Sequence, residues 1–231
     1  MPAPLDRPFV YVNMAMTVDG KITSAKREHP RFASAYDRLQ MDRLRARADA
    51  LMVAAGTVRA DNPAFHVRTK EVREEREAAG KAHVLHRVVV SASASIPEDS
   101  HFFDHARGGD SILVTTETAV EANVARLEGR AEVWRLGRQS VDLGAALAAL
   151  KKRGVERLLV EGGGELNWTL FDLDLVDELY VTIAPSLLGG SAAPTLLGGT
   201  GWPMKAQRRL RLVELERNRD DLFCRYSVET H

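Results

Sequence analysis

The chain has one cysteine, Cys224, among its 231 residues, which rules out an intrachain disulfide. No apolar run approaches the ~20 residues that a membrane-spanning helix needs. Residues Met1 to Pro8 lack the apolar centre of a secretory signal. Charge of one sign is missing too: 32 Lys and Arg balance 32 Asp and Glu. No global field therefore draws the chain to nucleic acid or an anionic membrane, and any anion must be held by a local arrangement. There is no repeat of fixed period and no low-complexity segment. These absences lead us to expect a soluble cytoplasmic protein with no nucleic-acid and no membrane partner. A chain this long buries a sizeable core, and a single domain over 1–231 is expected.

What is present is an alternation of short apolar runs with amphipathic stretches. Phe9 to Met16 is apolar and β-branched and stops before Asp19-Gly20, a turn signal, so it reads as the first strand. Ser34 is placed to cap a helix whose apolar positions Leu39, Met41 and Leu44 lie among Arg38, Arg43, Arg45 and Arg47. One face of that helix is expected in the core and the other to be cationic. Ala50 to Ala55 reads as a small strand, left through Gly56 to Pro63, where glycine, an Asx turn and proline suit a ligand loop. Arg68 to Lys81 is charged enough to predict a solvated loop or a short exposed helix.

Arg87 to Val90 and Ser111 to Thr115 read as buried strands, and Glu132 to Leu136 as a third. Leu143 to Arg153 reads as a helix, with a basic last turn and Gly154 as its stop. Val176 to Ile183 alternates as a strand with one face less buried, and Pro185 ends it. After the glycine-punctuated Leu187 to Gly201, Leu210 to Glu216 and Leu222 to Val228 predict a terminal hairpin across Arg217 to Asp221. The expected class is α/β, with a mainly parallel central sheet, helices on both faces and an antiparallel C-terminal hairpin.

The most informative stretch runs from Leu158 to Phe171, where an apolar run breaks into Gly162-Gly163-Gly164 and restarts as a helix. Residues without Cβ let backbone N–H groups approach a ligand, and the helix start aims its unpaired amides and positive dipole end at the same point. That arrangement suits an anion. The dinucleotide pattern is incomplete, because Asn167 stands where its third glycine belongs. A tight strand-to-helix turn that binds nothing is the competing reading of this segment.

Taken together, Asn13 to Lys21, Arg45 to Ala50, Gly56 to Pro63, Val160 to Gly164, and the later Val176 to Leu179 and Ala184 to Gly190 resemble the ordered motifs of the riboflavin-biosynthesis pyrimidine reductases. These reductases form one domain of a bifunctional deaminase-reductase and also occur alone. The resemblance spans about Phe9 to Val228. It implies a dihydrofolate-reductase-like fold, a homodimer, and an NADPH-dependent oxidoreductase similar to 5-amino-6-(5-phosphoribosylamino)uracil reductase. Such an enzyme reduces a ribosylaminopyrimidine 5′-phosphate to its ribitylamino form.

Carried over position by position, the resemblance implies coenzyme contacts at Ala15, Thr57 and Asp61. It also implies a diphosphate loop over Gly163, Gly164, Glu165, Leu166, Asn167, Trp168 and Thr169. Arg45, Phe65, Arg68 and Glu161 match substrate-binding positions, and Asp61 is the carboxyl candidate for a catalytic role. Two guanidiniums suit a sugar phosphate, and a carboxylate accepts from the N–H groups of a pyrimidine.

Two departures bear on specificity. His29 to Ala33 replaces a Ser-x-Trp segment, and Ala92 and Ser95 stand where the family carries a serine and an arginine. NADH therefore stays open beside NADPH, with Arg31 as a candidate replacement. A different pterin or pyrimidine substrate, and a non-catalytic nucleotide-binding protein, are the alternative functions. No metal site is expected: His101 and His105 lack a third ligand, and His83 and His86 have no better case. Lys205 to Arg211 reads as a solvated edge, and Ser91, Ser93 and Ser95 lack the setting of a hydrolase nucleophile.

Overall fold

Ser34 begins a helix as its position predicts. In the computed structural model, which describes residues 6–29, 32–82, 84–104 and 108–229, the Ser34 hydroxyl accepts from the Asp37 amide at 3.0 Å and α1 (Ala35–Arg47) follows. Packing separates the chain into two units, one built mainly from Asp42 to Leu159 and the other from Val10 to Met41 with Val160 onward.

In the first unit, β2 (Ala50–Ala54), β3 (His86–Val90), β4 (Ser111–Thr115), β5 (Glu132–Arg135) and β6 (Arg157–Val160) are ordered β5-β4-β3-β2-β6. The pairs β2/β3, β3/β4 and β4/β5 are parallel. Continuous apolar runs are what strands covered on both faces require, and Leu51, Met52, Val53, Val88, Val89, Ile112, Leu113 and Val114 are all fully buried. The helix α5 (Leu143–Lys152) turns Leu143, Ala146, Leu147 and Leu150 inward, and Asp142 caps it by accepting from the Ala145 amide at 2.9 Å. A short helix, α4 (Glu121–Ala125), was not marked by periodicity.

One segment differs from its sequence reading, and the charged stretch after it forms the short exposed helix that is one of its two readings. Gly56 to Pro63 is mostly helical, as α2 (Ala55–Asp61), and ends where Asn62 adopts a left-handed conformation (φ 42°, ψ 62°) before Pro63. Asn tolerates that conformation and proline prevents continuation, so the punctuation stops a helix here instead of shaping an open loop. The charged stretch holds α3 (Lys70–Ala78), which buries Val72 and Arg76. Arg76 donates to the Arg45, Ala46 and Ala48 carbonyls, supplying a cation and donors to the open end of α1.

In the second unit, β1 (Phe9–Thr17), β7 (Glu178–Ala184), β8 (Leu210–Asn218) and β9 (Asp221–Val228) are ordered β1-β7-β9-β8. β1 and β7 are parallel, with Ala15 opposite Thr182, while β7/β9 and β8/β9 are antiparallel. β7 alternates in burial as its pattern predicts. The hairpin turn is tighter than expected: Asn218 already pairs with Asp221, and Arg219 takes the positive φ of 54° that a two-residue loop demands. α6 (Gly164–Asp172) follows the glycine turn.

Candidate active site

The glycine turn is shaped first by its own surroundings. Gly162 has φ of +84°, and a Cβ there would stand 2.9 Å from the Met14 sulfur; a Cβ on Gly164 would stand 2.7 Å from the Thr195 carbonyl oxygen. Two of the three glycines are therefore required by packing inside the protein. Gly163 is the N-cap of α6, in extended backbone with no side chain capping the helix. The peptide bond between Gly162 and Gly163 is cis. The first-turn amides of α6 are thus presented without a side-chain acceptor, the condition an anion at a helix N-terminus needs.

The other residues of the expected diphosphate loop divide by role. Leu166 and Asn167 are buried. The Asn167 amide nitrogen donates to the Leu196 carbonyl at 3.0 Å, so its side chain fastens the following loop to the helix. Both Glu165 carboxylate oxygens accept from the Gly199 amide at 3.2 Å, and Trp168 packs on Trp202 with ring centroids 4.2 Å apart. The Thr169 hydroxyl donates back to the Glu165 carbonyl at 2.9 Å. What α6 offers a ligand is its backbone end. Ala15 and Glu161 lie in the same unit, Ala15 on β1 and Glu161 directly after β6.

The first unit holds Arg45, Thr57, Asp61, Phe65 and Arg68. Thr57 and Asp61 are on α2. The expectation that α1 turns Arg45 to a cationic outer face is corrected: Arg45 is 2% exposed, and its guanidinium donates to the His66 carbonyl at 2.9 Å. The carbonyl turned toward it offsets part of the cost of burying a cation. Phe65 is also a core residue, 2% exposed and tilted against Phe102, with centroids 6.1 Å apart. Arg68, by contrast, is exposed at the end of that segment.

Asp42, which the sequence reading passed over, secures it. Buried on α1, Asp42 accepts from the Arg68 amide at 3.2 Å, the Thr69 amide at 2.8 Å and the Thr69 hydroxyl at 2.6 Å. Asp42 and Arg45 thus hold both ends of residues 66–69 from one helix. Its spacing three residues before Arg45 was the available signal. A second unanticipated residue is Arg59 on α2, whose Nη1 donates to the Ser95 carbonyl at 3.0 Å. Among the described residues no group of three or more His, Cys, Asp or Glu side chains is arranged to hold a metal ion. Arg31, His83 and His105 lie outside the described residues.

The family described as the RibD C-terminal domain matches residues 8–223. The chain belongs to that family. It is 40% identical over 185 residues to the 2,5-diamino-6-ribosylamino-4(3H)-pyrimidinone 5′-phosphate reductase of Archaeoglobus fulgidus, covering 80% of this chain and 83% of the relative. With the protein of the same name from Methanothermobacter thermautotrophicus it shares 37% identity over 224 residues, 96% of this chain and 99% of that one. A solved pyrimidine reductase-like protein from Corynebacterium diphtheriae has the same fold, with a TM-score of 0.85 at 22% identity over 97% of this chain and 93% of that one.

Proposed function

We propose that this family member is the NADPH-dependent oxidoreductase of riboflavin biosynthesis that reduces a ribosylaminopyrimidine 5′-phosphate to its ribitylamino form. The observation that carries this reading is the family match over 8–223, joined to 40% identity with a named reductase of that reaction. The match runs through both units, which supports one reductase domain over the whole chain.

The residues fit a nicotinamide coenzyme. The uncapped start of α6 at Gly163 and Gly164 would suit its diphosphate, and Ala15, Thr57 and Asp61 are assigned to its remaining contacts. When bound, the coenzyme supplies the hydride. The chain's own residues bind and orient. Arg68, exposed on a segment braced by Asp42, is assigned to the substrate phosphate, and Glu161 to the pyrimidine N–H groups. Asp61 is the carboxyl assigned to proton exchange. Orientation of two bound reactants supplies roughly 7 to 11 kcal/mol of barrier reduction, so most of the work here is placement.

A homodimer belongs to the same reading. β8 leaves Leu212 and Leu215 50% and 57% exposed, beside Leu210 and Val213, and an apolar edge strand of this kind is relieved by pairing with a second copy. The proposed location is the cytoplasm, in keeping with the free, buried Cys224. No described helix is long and apolar enough to cross a membrane.

The test is purified protein with NADPH and the diaminopyrimidinone phosphate, followed at the nicotinamide absorbance. Oxidation that depends on the pyrimidine supports the reductase. Coenzyme binding without turnover on any pyrimidine or pterin of a panel returns the chain to a nucleotide binder.

A further inference from the structure

Glu165 is the acidic residue in the first turn of α6, among the amides assigned to the diphosphate. A carboxylate at that place in a helix is drawn to the same unpaired amides and the same positive dipole end as a bound anion. Here it is turned elsewhere. No side chain caps α6, and both Glu165 oxygens accept from the Gly199 amide at 3.2 Å. The helix therefore carries its own competitor for the coenzyme site, and the loop after β7 holds that competitor away.

Gly198 makes room for the carboxylate. A Cβ on Gly198 would collide with Glu165 Oε1 and stand 2.8 Å from its Cδ, and Gly198 has no positive φ that would otherwise call for glycine. The same Cβ would stand 3.3 Å from the Glu165 amide nitrogen, an approach that a small shift relieves, so the side chain is the part that must leave. The loop is anchored independently of this carboxylate. The Gly198 amide donates to the Gly164 carbonyl at 3.0 Å, the Asn167 side chain donates to the Leu196 carbonyl at 3.0 Å, and Thr195 bridges to Lys21. Trp168 and Trp202 stack beyond them. Removing the carboxylate leaves these contacts in place.

We infer that Glu165 is a positioning residue for the coenzyme: Gly198 and Gly199 park its carboxylate on the loop, and the first-turn amides of α6 stay open to the diphosphate. This rests on the coenzyme reading of that turn and adds the device that keeps its donors available. A carboxylate folded back on those amides opposes a diphosphate twice, by taking its donors and by like-charge repulsion. A residue that only fastened the loop would act with the opposite sign. Removing a fastener weakens coenzyme binding, whereas removing a parked competitor does not.

The experiment titrates NADPH, by fluorescence, into wild type, Gly198→Ala, Glu165→Asp, Glu165→Ala, and Gly198→Ala combined with Glu165→Ala, with thermal melts to confirm folding. In Gly198→Ala the added methyl evicts the carboxylate toward the helix. In Glu165→Asp the side chain is one methylene too short for Gly199. Each is expected to weaken NADPH binding roughly tenfold to a hundredfold, the range of a lost charge-assisted bond, and to raise its KM more than it lowers kcat. The double variant should recover most of the affinity lost in Gly198→Ala, because the competitor is gone while the methyl remains. Glu165→Ala should bind NADPH more tightly than Glu165→Asp, which keeps the test decisive if the Gly198 variants do not fold. Unchanged affinity in folded Gly198→Ala, a double variant no better than Gly198→Ala, or Glu165→Ala weaker than Glu165→Asp overturns the inference and leaves the coenzyme reading standing. A wild type that binds no NADPH overturns the coenzyme reading itself, and this inference with it.

Discussion

The Asp19 carboxylate holds the Gly189 amide at 2.6 Å and the Leu188 amide at 3.2 Å, so one side chain fastens the turn after β1 to the loop after β7. The Thr17 hydroxyl donates to the same group at 2.6 Å. That bond first, and the Gly189 amide next, lower the Asp19 pKa from 3.8 to about 2. A carboxyl whose folded value is depressed stabilises the fold above its unfolded value and loses that contribution as pH falls through the folded one. Asp19→Asn is therefore expected to lower Tm at neutral pH, with the difference closing between about pH 4 and pH 2. Thermal melts of both proteins across that range provide the check. A gap that persists at the acid end assigns the effect to something other than the charge.

Neighbouring glycines should respond differently to substitution. Gly163 has extended backbone (φ −82°, ψ −172°), which any residue adopts, so Gly163→Val should fold and weaken NADPH binding by crowding the diphosphate. Gly162→Ala meets a positive φ and the Met14 sulfur at 2.9 Å, and should cost about 1 to 3 kcal/mol of stability. NADPH titration with denaturant melts separates the two outcomes; unchanged affinity in folded Gly163→Val removes the turn from the site.

Arg68 and Arg45 are separated by burial. Arg68→Ala is expected to lower kcat/KM roughly tenfold to a hundredfold, the loss of a charge-assisted bond worth ~1.5 to 3 kcal/mol, with NADPH affinity nearly unchanged. On a dephosphorylated substrate the variant and wild type should converge. Arg45→Ala strips a buried donor from the His66 carbonyl and should appear first as a loss of stability of about 1 to 3 kcal/mol. Equal damage by Arg68→Ala with and without the phosphate refutes the phosphate assignment.

Coenzyme choice is expected to reside in Arg59. Ser95 stands where the resemblance places an arginine, yet the Arg59 guanidinium reaches the Ser95 carbonyl at 3.0 Å, returning a cation to that position from α2. Wild type should favour NADPH, and Arg59→Ala should reduce the NADPH-to-NADH ratio of kcat/KM about tenfold or more. A wild type indifferent to the two coenzymes shows that the lost arginine is not replaced.

The exposed face of β8 gives the last expectation. Leu212→Glu with Leu215→Glu should convert a dimer to a monomer in analytical ultracentrifugation, because charges are expelled from an apolar contact. A wild type that sediments as a monomer removes the dimer from the proposal.

The amino-acid sequence by itself determined the strands, the capped start of α1 and the glycine turn. Each of these is set by neighbours a few residues away: apolar runs of strand length, a serine three residues before an amide, three residues without Cβ. Family membership was legible for a related reason, since motif order survives without knowledge of contacts. The tertiary structure decided which charges are buried and what they do. Arg45 reads as one of several surface arginines until the His66 carbonyl is brought to it, and Asp42 has no meaning until Thr69, 27 residues away, supplies two donors. Apolar burial follows from local pattern, whereas burying a charge depends on partners that only the folded chain assembles.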